Sequence, residues 1–199
     1  MTNLTRRSLH GLAELVLAGP QYRSSGTIRL GVGGGGFRTV AAPELTVTAD
    51  ALVRGDGRRV DLAGRTLGEV AAAAGVAIGA PENLYPDGSG AAAEDVVVLD
   101  GAAQILEAFA AGDAALRALS GDVEPVLWPE HFDLGISLDE VNYGVSAGDS
   151  TIDEPYAYVG PWKARTGDFW NVSFGAAHPV RALPDLLAFF EEGRRTAAS

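Results

Sequence analysis

The chain contains no cysteine. That excludes disulfides, thiolate catalysis, Cys-ligated zinc and iron–sulfur clusters. A cysteine-free chain of 199 residues fits the cytoplasm, and a cytoplasmic location is expected. The one methionine is Met1, so no internal thioether can ligate a metal. A side-chain metal site would draw on His10, His131 and His178 plus carboxylates. Cations are also scarce, with 15 Lys and Arg against 26 Asp and Glu, for a net charge of −11. That balance opposes nucleic-acid binding, which needs clustered cations to neutralise phosphate. It equally opposes a basic membrane-surface role, and it favours solubility. No apolar run approaches the roughly 20 residues of a membrane span. Thr5-Arg6-Arg7-Ser8-Leu9 has the look of a twin-arginine export signal. The apolar stretch after it, Leu12 to Ala18, is short, holds Glu14 and ends without a small-x-small cleavage site. It reads instead as a first helix with Leu9, Leu12 and Val16 on one face.

What is present is an ordinary globular composition, 47% hydrophobic and rich in glycine at 26 residues. The length supports one well-buried core, or at most two small ones. The expectation is a single α+β domain over residues 1–199, mainly antiparallel sheet packed with a few short helices. Its parts are a mixed helix and strand half (1–122), a strand-rich half (123–182) and a terminal helix (184–193). In the first half Pro20 and Ser24-Ser25-Gly26 mark a break. Thr27 to Val32 alternates as a strand, and Gly33 to Gly36 turns it. Leu45 to Val53 and Arg58 to Leu62 flank a Gly55-Asp56-Gly57 turn. Thr66-Leu67-Gly68-Glu69 is a capping box opening a helix that stops at Gly75. Residues 80 to 95 form a loop. Asp100 caps a helix that Gly112-Asp113 ends, with a further helical turn to Leu119. Pro184 opens the last helix and Gly193 stops it.

The strand-rich half carries the most information. Phe132, Leu134, Ile136 and Leu138 fall on one face of a strand, and His131, Asp133, Gly135 and Ser137 on the other. A turn near Asp139-Glu140 then sets Ser137 opposite Asn142, Gly135 opposite Gly144, Asp133 opposite Ser146 and His131 opposite Gly148. The other face is apolar at every pair, so a one-residue slip would bury the polar set. Tyr156 to Gly160 and Phe169 to Gly175 repeat the strand pattern. A face gathering His131, Asp133, Asn142, Ser146, Asn171 and Ser173 would have a trough over Gly135 and Gly144, where no side chain rises. Such a trough suits a small ligand. The plain alternative is a solvated sheet face, although its side chains are short and mostly uncharged, unlike the usual Lys, Glu and Thr.

Three patterns bear on chemistry. His131-x-Asp133 with His178 is similar to the H-x-D…H ligand set of 2-oxoglutarate-dependent non-haem iron oxygenases, a two-His-one-carboxylate site. That pattern also places a basic residue about ten positions after the second His; here Arg181 comes too early and the next cation is Arg194. Gly31-Val32-Gly33-Gly34-Gly35-Gly36 is formally G-x-G-x-x-G, but Phe37 to Pro43 does not open a helix, so a hairpin turn is the reading. Gly148 to Tyr156 is an acidic loop with Asp149, Asp153 and Glu154. Its spacing matches no EF-hand, and Asp149 reads as a turn cap.

The run Trp128-Pro129-Glu130-His131-Phe132-Asp133, then Asn142-Tyr143-Gly144, Gly148-Asp149, Glu154-Pro155-Tyr156 and Trp162, resembles a family of actinobacterial proteins. The resemblance implies a bacterial intracellular protein and brings no activity, cofactor or catalytic residue with it. The resulting expectation is a protein that binds a small molecule or a partner over the polar-aromatic face of its C-terminal sheet. The candidate residues are His131, Asp133, Asn142, Ser146, Asp149, Glu154, Tyr156 and Asn171. One alternative is an iron oxygenase using His131, Asp133 and His178. Another is a structural protein with this face buried in a homo-oligomer.

Overall fold

A computed structural model describes residues 3–198. The protein is α+β, with antiparallel strand pairing throughout. Its elements are α1 (Asn3–Gly11), a π-helical segment (Leu12–Ala18), α2 (Gly19–Ser25), β1 (Leu30–Gly33), β2 (Gly36–Thr39), β3 (Leu45–Val47), β4 (Ala51–Arg54), β5 (Arg59–Asp61), α3 (Leu67–Ala74), α4 (Ala102–Leu119), β6 (Val126–Trp128), β7 (Asp133–Leu138), β8 (Val141–Ser146), β9 (Tyr156–Pro161), β10 (Ala176–Pro179), a 3₁₀ turn (Val180–Ala182) and α5 (Leu186–Ala197). None of the described helices is long and apolar enough to cross a membrane.

The chain forms two compact units, one of residues up to Glu107 with Leu127–Phe132, the other of Ala108–Val126 with residues from Asp133 on. In the first, strands run in the order β6-β1-β2-β3-β4-β5. The glycine run makes the expected hairpin, with Gly33 paired to Gly36. The capping box at Thr66 and Glu69 is also present, both bonds made. The N-terminal helix departs from expectation. It is buried all round at Leu12–Ala18 and continues through Pro20 to Ser25. The π register explains how it passes the proline. In i→i+5 bonding, Pro20 would have to donate to the Leu15 carbonyl and has no N–H to do so. The Gly79 N–H takes that carbonyl instead, at 3.0 Å.

Two buried polar side chains on this helix tie the unit together. The Gln21 amide donates to the Thr27 and Arg29 carbonyls, and its oxygen accepts from the Val40 and Ala41 N–H groups. All its bonding capacity toward backbone is used, which is why a buried amide is tolerated here. Glu14 is also buried and accepts from the Ser89 N–H at 2.8 Å. The 80–95 loop is thus fastened to the core helix rather than hanging free.

In the second unit the order is β10-β9-β8-β7. The hairpin register is the one the hydrophobic pattern dictates: Asp133 pairs with Ser146, Gly135 with Gly144, Ser137 with Asn142 and Leu138 with Val141. Asp139 and Glu140 turn it with φ of 52° and 62°, the left-handed values of a type I′ turn. Leu134, Tyr143, Val145 and Val159 are fully buried on the apolar face, with Phe190 of α5 against them. Two glycines read as helix stops lie inside helices instead. α4 runs unbroken through Gly112, and α5 runs past Gly193 to Ala197. A Cβ at Gly112 would come within 2.6 Å of the Val145 side chain, and one at Gly193 within 2.7 Å of Val159. Each is a notch that lets helix meet sheet closely, and that tertiary contact outweighs the poor helix propensity of glycine.

Candidate functional site

Strand parity sorts the second unit's sheet into two faces. Asp133, Gly135 and Ser137 of β7, Asn142, Gly144 and Ser146 of β8, and Tyr156, Tyr158 and Gly160 of β9 share the polar face. The expected trough over the two glycines is filled. Tyr158 lies across it, so that a Cβ at Gly144 would sit 2.5 Å from the phenol ring carbon and hydroxyl, and one at Gly135 3.1 Å from the hydroxyl. The glycines are there because a tyrosine ring lies flat on the sheet.

The Tyr158 hydroxyl donates a short hydrogen bond to Asp133 Oδ2. Beside it, Tyr156 is buried, 6.4 Å from Tyr158 between ring centres, and its hydroxyl donates to Asp149 Oδ2 at 2.6 Å. The other oxygen of Asp149 accepts from the Thr151 and Ile152 N–H groups, the capping role its position suggested. Ser146 turns its hydroxyl to the Gly148 N–H. Burial, and then the neighbouring carboxylates, push both phenols well above their usual range. Burial works against charge on Asp149, but the bonds from Tyr156, Thr151 and Ile152 outweigh it and hold the carboxyl below the usual range. These phenols are therefore donors held protonated, not bases at neutral pH.

The other end of the same face is open. Ser137 donates to Asn142 Oδ1 at 2.7 Å, and the Trp162 indole N–H donates to the same oxygen at 3.1 Å. Trp162 follows β9 directly, its N–H bonded to the Glu140 carbonyl. The residue is nevertheless 64% exposed. Asn142 is exposed, and its Nδ2 group has no partner among the described residues.

The remaining candidates do other work. His131 lies before β7, so strand alternation does not place it with Asp133. β7 begins at Asp133, and Phe132, with φ of 51°, closes a turn back to the Trp128 carbonyl. That left-handed residue breaks the alternation on which the His131–Asp133 pair depended. Phe132 instead stacks on His10, 5.4 Å between ring centres, and His131 is exposed. Glu154 is held by two guanidinium nitrogens of Arg181, Nε and Nη2, the latter at 2.9 Å. Asn171 donates to the Ala177 carbonyl and accepts from its N–H, at 3.0 and 2.9 Å. Its amide thus replaces the backbone of the strand expected at Phe169–Gly175, where only a Val172–Gly175 bridge forms.

The iron set is corrected in the same way. On β10, paired with Ala157 of β9, His178 projects to the apolar face, opposite Asp133, and lies edge-on to Phe189 of α5. Asp133 and His178 sit on opposite sides of one sheet and cannot converge on an ion. Among the described residues no group of three or more His, Cys, Asp or Glu could hold a metal. Sequence reasoning also passed over Tyr158 and Trp162 as site residues. The signal was there: period-two parity carries Tyr156 through Tyr158 and Gly160 to Trp162. No family model, curated protein or solved structure matches the chain.

Proposed function

We propose that the second unit is a binding module whose contact surface is the open end of the polar sheet face, with a hydroxylated ring such as a sugar stacked on Trp162. One observation carries the reading: the indole of Trp162, a residue 64% exposed to water, is nonetheless fixed by a hydrogen bond to Asn142. A large apolar ring left in water is unfavourable, and here it is also held in one orientation. That is a prepared platform, with part of the ordering that binding demands already made. Asn142 Nδ2 supplies donors and Ser137 Oγ supplies lone pairs beside it, as hydroxyl groups on a ring would require. The closed end offers no such surface, because Tyr158 is bonded to Asp133 and Tyr156 to Asp149.

The test is titration with a panel of mono- and oligosaccharides, following the Trp162 indole N–H resonance. A binding sugar shifts that resonance saturably. Trp162→Ala abolishes the binding, and Asn142→Ala weakens it about tenfold, the loss of one or two hydrogen bonds. An indole resonance unmoved by every sugar, or full binding by Trp162→Ala, overturns the reading. So does a change of mass from dimer to monomer in Trp162→Ala, which would make the face a subunit contact.

A further inference from the structure

We propose that a second site in the same unit, on the α5 side of the sheet, binds a small organic ammonium ion. An open cleft of about 460 Å³ lies there, within the size range of small-molecule sites. Its floor is aromatic. The Phe169 and Phe189 rings are 5.6 Å apart between centres, and the His178 ring stands perpendicular to Phe189, also at 5.6 Å. Its rim is acidic, with Asp168, Asp185 and Glu192. No Lys or Arg lines it, and the nearby Arg181 is committed to Glu154. Asp185 Oδ1 caps α5 through the Ala188 N–H. Asp168 and Glu192 make no hydrogen bond or ion pair among the described residues.

The combination narrows the occupant. An anion would meet three carboxylates and no Lys or Arg. A neutral apolar molecule would gain from the floor and nothing from the rim. A bare metal ion needs ligands converging on one point, and these carboxylates do not converge. A polyatomic cation satisfies both parts. Its charged, weakly hydrated CH surface is attracted to ring faces, and carboxylates spread round a rim suit a charge distributed over a group of atoms. This site is separate from the Trp162 platform and depends on neither its ligand nor its residues.

The probe is choline, with 3,3-dimethylbutan-1-ol as its uncharged isostere and magnesium chloride at matched ionic strength as the control for a merely acidic surface. Nuclear magnetic resonance reads the site directly. Choline shifts the Phe169, His178 and Ala188 resonances saturably, and the alcohol and magnesium do not. The double variant Asp168→Asn/Glu192→Gln weakens choline binding by about threefold or more, as expected for two exposed charge contacts. Phe169→Leu keeps the apolar floor, removes a ring face, and weakens binding about threefold. Melting curves confirm that both variants are folded. Trp162→Ala binds choline unchanged, so failure here and failure of the sheet-face reading are distinguishable. Equal shifts with the alcohol, equal shifts with magnesium, or no shifts with choline overturn the proposal.

Discussion

At the Asp133 end of the polar sheet face the strong hydrogen-bonding groups turn toward one another. At the Trp162 end the same strands carry an amide and an indole to water. The strands are continuous and the residue types are similar, so the difference lies in what the glycines admit. Gly144 and Gly135 let the Tyr158 ring lie across β8 and β7 to reach Asp133. Two strand positions on, Gly160 lies opposite Asn142, whose exposed side chain forms the partner of Trp162. A polar face can therefore be read as a site only after asking which of its side chains already satisfy one another.

The largest way to break this contrast is at Gly144. A Cβ there would sit 2.4 Å from the Leu134 carbonyl oxygen and 2.5 Å from the Tyr158 ring. The first neighbour is backbone and cannot swing aside. Gly144→Ala should cost about 3 kcal/mol, measured by denaturant unfolding. At Gly135 the nearest atoms are at 3.1 and 3.2 Å, so Gly135→Ala should cost about 1 kcal/mol. Equal costs at the two positions would contradict a ring seated chiefly on Gly144. Tyr158→Phe keeps the ring and removes the donor to Asp133, and should fall between them at about 2 kcal/mol.

A second way is through pH. The folded Tyr156 and Tyr158 hydroxyls lie above the unfolded value of 10.0. Their contribution to stability is whole below pH 10 and is lost as pH rises toward the folded values. Folded Asp149 lies below its unfolded value of 3.8. Its contribution is whole above that pH and is lost as pH falls through the folded value. The closed end therefore adds to stability across the whole neutral range and weakens at both extremes. Relative to wild type, Tyr158→Phe should flatten the alkaline limb. Tyr156→Phe should flatten both limbs, because it removes one phenol and the donor that holds Asp149. Unfolding curves from pH 3 to 11 on the three proteins distinguish these outcomes. A Tyr156→Phe acid limb identical to wild type would remove Asp149 from the account.

The sequence made the hairpin register legible because its apolar face tolerates no slip: Leu134, Ile136, Tyr143 and Val145 must all point one way. It made Asp149 legible as a cap and the glycine run legible as a turn, since both are decided within a few residues. Contacts between distant segments were not legible. Nothing local shows that Tyr158 would fill the gap over Gly144, that Val145 would need the notch at Gly112, or that a glycine at 79 would relieve a proline at 20. The His131–Asp133 pair failed for a related reason. Alternation assumes that the strand is already running at residue 131, and the left-handed Phe132 starts it only afterwards. That residue is held by its packing on His10 and Phe37, both remote in sequence.

The smallest expected effect on stability is at the open end, and its smallness is the point. Trp162 makes one side-chain hydrogen bond to an exposed partner and keeps 64% of its surface in water. Removing it creates no cavity and leaves no buried group without a partner, so Trp162→Ala should change unfolding free energy by less than about 0.5 kcal/mol. The same substitution should abolish ligand binding at the platform. A residue whose loss spares the fold and removes the binding separates a surface kept for recognition from one that merely packs. If Trp162→Ala instead destabilises the protein as much as Tyr158→Phe, the indole is part of the fold, and the two ends of the face differ in exposure alone.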